Sequence, residues 1–203
     1  MYAYLVEDDP LVLASLKATF EARCEVRAFT SAESFLTSLE VSSPGVVVID
    51  IGLPGMDGQT LHARLVETGA PVAVIFLTGR GEVRQAVDAM RRGAVDFLCK
   101  PVRRAELLAA FDRAVVALAR LIETRDCRTR LARLTERELE ILRNLATGAP
   151  SKCIAHELGI SARTVEMHRA RICAKLGVPT AAAVALACEV GLVHFAMTAA
   201  SAA

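Results

Sequence analysis

The chain has 203 residues, is 53% hydrophobic and 23% charged, and carries a formal net charge of +1. That length holds one large domain or two small ones, and the balanced charge excludes binding driven by a global basic field. Apolar runs are broken by charge or glycine well short of a bilayer span, and residues 2–6 meet acidic residues at once, so neither a membrane segment nor a secretory leader is expected.

Residues 2–6 (YAYLV) form a short apolar run that ends at Glu7-Asp8-Asp9. A helix is expected over 10–22, with an apolar stripe of Leu11, Leu13, Leu16 and Phe20. A strand over 25–29 comes next, then a helix capped by Ser31 and running to about 40. Strand 45–49 ends at Asp50, and the loop Gly52-Leu53-Pro54-Gly55-Met56 leads into a helix over 57–68. Strand 72–77 ends at Thr78, before a Gly79-Arg80-Gly81 turn and a helix over 82–92. Strand 95–99 ends at Lys100-Pro101, and a helix over 103–121 closes the series. Five such alternations predict an α/β fold, a doubly wound parallel sheet of order 2-1-3-4-5 over residues 1–121.

Residues 122–133 (IETRDCRTRLAR) are polar and Arg-rich, and read as a helical or frayed linker. From residue 134 onward the pattern is all helical. Thr135 and Glu138 form a capping box for a helix over 136–147, closed by Gly148. Ser151 opens a short helix to Leu158, and Gly159-Ile160-Ser161 turns into a helix ending near 176. Two helices joined by so short a Gly-containing turn make a helix-turn-helix. Gly177 ends the second of these, and Thr180 begins a fourth helix. The expected domain occupies 134–195, with a disordered tail over 196–203. The six cysteines show no C-x-x-C or zinc spacing, so mostly buried free thiols in a reducing cytoplasm are expected, Cys127 being the exposed one.

Ligands of an open parallel sheet sit at the carboxyl ends of its strands. Here those ends bring carboxylates, a hydroxyl and an ammonium. Asp50 can accept a phosphoryl group as an aspartyl phosphate, a transfer that needs alignment and charge neutralisation. Mg2+ supplies the neutralisation and takes oxygen ligands; Glu7, Asp8, Asp50 and the Gly52 backbone carbonyl are the candidates. Lys100 and Thr78 can hold the phosphoryl oxygens as point charge and hydrogen-bond donor. Each residue alone is an ordinary turn or cap residue, and Asp9 has no ligand role. The inference rests on their convergence at one sheet edge.

In the second domain, Val165, Ile172 and Leu176 share the inward face of the helix over 162–176. Arg163, Glu166, Met167, Ala170 and Arg171 lie opposite, with Arg169 and Lys175 at the margins. Such a face suits entry into a DNA major groove. Lys152 and Thr164, near helix starts, are candidate phosphate contacts. Glu166 either accepts from a cytosine amino group or repels phosphate and enforces register. His168 reads as a half-buried packing residue.

The motifs V-E-D-D, VVVID-x-x-LPGMDG, VIFLTG and GAVDFLCKP resemble those of a response-regulator receiver domain, over residues 1–121. The resemblance implies a CheY-like fold, with Glu7 and Asp8 as the acidic metal pair, Asp50 phosphorylated and Lys100 on the phosphate. It further implies Thr78 and Phe97 as a switch pair, although the strand pattern alone makes Phe97 a core residue, and a cis Lys100-Pro101 bond. Residues 133–195 resemble the LuxR-type helix-turn-helix of NarL/FixJ response regulators, and TVE-x-HRA is most like the FixJ subgroup. That family usually has Asn where Ser151 stands. By resemblance the fourth helix, with Val184, Leu186, Ala187 and Val190, is a dimer helix. The whole then implies a cytoplasmic, non-enzymatic transcription factor. Its partners would be a sensor histidine kinase, double-stranded promoter DNA, a second copy on activation and RNA polymerase. A phosphorylation-independent DNA binder with a vestigial acidic pocket is the rival reading.

Overall fold

The computed structural model describes residues 1–38, 43–79 and 88–193. They fall into two compact units, divided between Ile122 and Glu123.

The first unit is built on a parallel sheet of order β2-β1-β3-β4-β5. Its strands are β1 Tyr2–Val6, β2 Glu25–Phe29, β3 Gly45–Asp50, β4 Val72–Thr78 and β5 Asp96–Cys99. Every residue of β3 and β4 is buried, as expected of central strands covered on both faces. Alternation along the strands sorts the core into two layers. Tyr4, Val6, Val47, Ile49, Val74 and Phe76 pack on one side with Phe35, Leu61 and Leu65. These last come from helices α2 (Ala32–Ser38) and α3 (Gly58–Glu67). Leu5, Val46, Val48, Ile75 and Leu77 pack on the other side with Leu16, Phe20, Leu107 and Phe111. Those four belong to helices α1 (Pro10–Phe20) and α4 (Arg104–Leu131).

Two expectations need correction here. Leu11 is 81% exposed and takes no part in the α1 stripe. Five positions before Leu16 is about 140° around a helix, and Val12 fills the core-side position instead. The helix expected to end at 121 continues, and the segment after it takes the helical of its two expected forms: α4 runs unbroken for 28 residues through Leu131, because it contains neither glycine nor proline to end it. The turn at 79–81 beyond Gly79, the first part of the helix expected over 82–92, the end of the helix expected to about 40, and the tail over 196–203 lie outside the described residues. Residues 88–91 are helical.

The second unit packs α5 (Glu136–Ala146), α6 (Ser151–Glu157), α7 (Ala162–Leu176) and α8 (Thr180–Glu189) around Ile141, Leu142, Ile154, Val165, Ile172, Leu176 and Ala187. The capping box of Thr135 and Glu138 is present. Ser161 caps α7 by accepting from the Thr164 N–H at 3.0 Å, and Gly177 closes it with φ +67°. Cys127 is not exposed but 6% accessible. It sits one helical turn before Leu131 on the side of α4 that faces this core, with Sγ 3.7 Å from Glu189 Oε2. Nor are the thiols mostly buried: Cys99 and Cys153 are exposed, and Cys24, Cys173 and Cys188 are partly so.

One close packing position lies directly behind Asp50. A Cβ on Gly58 would stand 2.4 Å from the Asp50 carbonyl oxygen and 2.9 Å from Ile49 Cγ2. Gly58→Ala is expected to destabilise the first unit by about 1–3 kcal/mol, the usual range for overpacking, read as a lower urea midpoint for the full chain.

Candidate functional site

The strand ladders place the candidate residues of the first unit. Asp50 is the last residue of β3, paired with Leu77 of β4. Glu7 comes directly after β1, its N–H donating to Phe29 O at 3.0 Å, and the Lys100 N–H donates to Thr78 O at 2.7 Å. Side chains far apart in sequence thereby meet at one edge. Lys100 Nζ lies 2.6 Å from Glu7 Oε2 and 3.1 Å from Asp50 Oδ2. Glu7 is fully buried and Asp50 nearly so, whereas Asp8 is exposed. Oxygens of Glu7, Asp8 and Asp50 all lie within 4.8 Å of one another.

This crowding shapes the titration. Burial pushes the Glu7 carboxyl up, with the Asp50 charge adding to it and Lys100 opposing. Burial works to lower the Lys100 ammonium, but hydrogen bonds and charge from Glu7 and Asp50 outweigh it and hold Lys100 above its ordinary range. A set of hard carboxylate oxygens, one of them buried and otherwise met only by an ammonium, fits an oxygen-liganded divalent cation such as Mg2+.

The remaining residues sit around this trio. Thr78 ends β4, is 1% exposed, and donates its hydroxyl to Gly79 O at 3.1 Å. Phe97 is half-buried on β5 and packs against the core layer shared with Phe76. The Lys100-Pro101 bond is cis. A Cβ on Gly52 would lie 3.7 Å from Asp50 Oδ2, so the loop after β3 passes close over the carboxylate. Asp9, without a role in the sequence reading, caps α1: its Oδ1 accepts from the Leu11 and Val12 N–H groups at 2.8 and 3.3 Å.

In the second unit Val165, Ile172 and Leu176 are buried. Lys152, Arg163, Glu166, Met167, Ala170, Arg171 and Lys175 are exposed, and Thr164 and Arg169 partly so. Among the described residues, Arg163 and Arg171 have no side-chain partner. Three other polar residues are tied down. Lys175 Nζ lies 2.6 Å from Glu138 Oε2. Glu166 Oε1 accepts from Ser151 Oγ at 2.5 Å and from Arg169 Nη1 at 2.9 Å. The dimer-helix expectation is narrowed: Val184 and Ala187 are buried in the core of their own unit and offer no outer surface.

Residues 3–112 match the response regulator receiver domain family, and residues 132–187 match the bacterial regulatory proteins of the luxR family. This chain is a response regulator of the NarL/FixJ type. The regulator is 37% identical to the tetrathionate response regulatory protein TtrR of Salmonella typhimurium, over 85% of this chain and 84% of that one. It is 38% identical to the transcriptional regulatory protein FixJ of Rhizobium meliloti, over 85% and 87% of the two chains. Among solved structures it resembles response regulator StyR, with TM-score 0.68, 31% identity, and 93% and 98% of the chains covered. Full-length FixJ from B. japonicum gives TM-score 0.56 at 34% identity, covering 95% and 98%.

Sequence reasoning missed what the regulator's polar residues do to each other. The capping box pointed to Glu138, but its ion pair with Lys175 spans 37 positions, and no local spacing signals it. The Ser151–Glu166 contact was equally silent. Burial works to raise the Glu138 carboxyl, but hydrogen bonds from Lys175 and Thr135 outweigh it and hold it below the ordinary glutamate range. A depressed folded-state pKa contributes stability that is present above the unfolded value and lost as pH falls through the folded one. In Lys175→Met, hydrogen-exchange protection of α5 and α7 is expected to drop by about 1–2 kcal/mol at neutral pH. That is less than for a fully buried pair because Lys175 is about one-third exposed. As pH falls and Glu138 takes up a proton, the wild-type chain loses this contribution, so the difference between the two proteins is expected to shrink.

Proposed function

We propose that this two-component transcriptional regulator is switched by phosphorylation of Asp50, with Mg2+ held by Glu7, Asp8, Asp50 and the Gly52 carbonyl. The donor is a phosphohistidine of a sensor histidine kinase. An Asp50 oxygen attacks phosphorus, the N–P bond breaks, and the imidazole nitrogen keeps its electron pair. Mg2+ held by these residues would neutralise charge on the transferring phosphoryl group. Lys100, already within hydrogen-bond distance of Asp50, pairs with the phosphoryl oxygens, and the Thr78 hydroxyl donates to them. Movement of Thr78 and Phe97 carries the change outward as a two-state element.

The observation that supports this reading is the placement of one ammonium against both Glu7 and Asp50. A catalytic activity is not part of the reading beyond slow loss of the phosphoryl group. The output is binding of double-stranded promoter DNA through residues 162–176. Lys152, Arg163, Thr164, Met167, Ala170, Arg171 and Lys175 are the candidate contacts, beside Glu166 and Arg169. Phosphorylation pairs two copies, so that the second half-site is met at high effective concentration. The bound dimer engages RNA polymerase. Kinase, promoter and polymerase place this work in the cytoplasm. Among the described residues, no single helix is long and apolar enough to cross a membrane.

Beryllofluoride with Mg2+ is expected to raise the thermal midpoint of the full chain through ligand linkage, and to leave Asp50→Ala unmoved. An equal response of the two proteins would exclude the switch and favour a phosphorylation-independent binder. Binding to duplex DNA is expected to weaken linearly in log salt. Arg163→Ala and Arg171→Ala should each flatten that slope by about one unit, as read by fluorescence anisotropy.

A further inference from the structure

Ser151, Glu166 and Arg169 form a closed triangle. The Ser151 hydroxyl donates a hydrogen bond to Glu166 Oε1 at 2.5 Å. The same hydroxyl oxygen accepts from Arg169 Nη1 at 3.1 Å. That Arg169 nitrogen also donates to Glu166 Oε1 at 2.9 Å. The triangle joins the first turn of α6 to the outer face of α7. It occupies one carboxylate oxygen twice, while Oε2 has no partner among the described residues. The Glu166 side chain is 57% exposed, flanked by the exposed Arg163, Met167 and Ala170. The Ser151 hydrogen bond and the Arg169 charge hold its carboxyl below the ordinary glutamate range, so it stays ionised.

An ionised carboxylate on a face meant for DNA is repelled by phosphate unless it meets a donor. The major groove offers exocyclic amino groups on cytosine and adenine. Adenine places the N7 acceptor beside its amino group, which opposes a carboxylate; cytosine places only a C–H there. With two donors pinning Oε1, the direction of Oε2 is set before DNA arrives, and little side-chain entropy is lost on contact.

We propose that Glu166 is a specificity-determining residue that accepts from the N4 amino group of a cytosine in the major groove, with Ser151 and Arg169 acting as its positioning residues. The inference rests on the DNA-binding reading above. It makes Arg169 a positioning residue instead of a direct DNA contact and gives Ser151 a role through Glu166.

The test is selection of bound duplexes from a random pool by the full chain, as wild type and as Glu166→Ala, Glu166→Gln, Ser151→Ala and Ser151→Thr. The wild type is expected to enrich cytosine at one position per half-site. Glu166→Ala should lose that preference by about fivefold or more, a typical single-base discrimination, with other positions unchanged. Glu166→Gln should move the same position toward adenine, which glutamine reads through N6 and N7. Ser151→Ala should blur the position, and Ser151→Thr, which keeps the hydroxyl, should retain it. An unchanged cytosine preference at that position in both Glu166 variants overturns the proposal. A wild-type chain that retains no duplex even at low salt overturns the DNA-binding reading itself, and this inference with it.

Discussion

Three carboxylates sit at one end of the sheet, and a single ammonium holds the two buried ones. At separations under 4.8 Å, each pair of ionised carboxylates repels by roughly 3–4 kcal/mol at an effective dielectric of about 20. Glu7 has no solvent to screen it. Lys100 answers both problems at once, because its position after β5 brings Nζ between Glu7 and Asp50. The rest of the receiver unit serves this arrangement. The order β2-β1-β3-β4-β5 sets the ends of β1 and β3 side by side. An edge so assembled is charged and confined, and is therefore sensitive to any further cation or anion placed in it.

The second unit solves a different problem, that of presenting polar side chains in fixed directions from a small helical core. Its helices are short, and buried apolar contacts alone leave their outer faces loosely specified. Here long side chains add cross-links. Arg130 donates to Leu176 O at the end of α7, and Arg137 donates to Leu158 O at the end of α6. Carbonyls left open at those helix ends are satisfied by charged donors from elsewhere in the fold.

Much of this was legible in the sequence. Strands β1, β3 and β4 were visible because buried parallel strands are nearly uniform apolar runs that stop abruptly, and with β5 the stops named Glu7, Asp50, Thr78 and Lys100. The caps Thr135, Ser161 and Gly177 were visible because capping is local. Leu11 was misjudged because composition was read without its angular position. Cys127 was misjudged because a polar neighbourhood in sequence says nothing about the one face of α4 that turns inward. The polar run after residue 121 left a helical and a frayed form open and put the end of α4 too early, since polarity marks exposure rather than the absence of helix. The contacts of Lys175 and Ser151 were out of reach for a common reason. Each joins helices whose relative placement is decided by core packing, and a hydrogen bond made after that decision leaves no periodic trace.

The consecutive acids after β1 divide their labour. Glu7 faces inward and meets Lys100, Asp8 stays in solvent, and Asp9 turns forward to seize the first amides of α1. The middle carboxylate is therefore clamped by neighbours anchored in opposite directions, one in the sheet and one in the helix. Asp8 therefore presents its exposed carboxylate from a backbone whose two neighbours are both held, Glu7 by Lys100 and Asp9 by the start of α1.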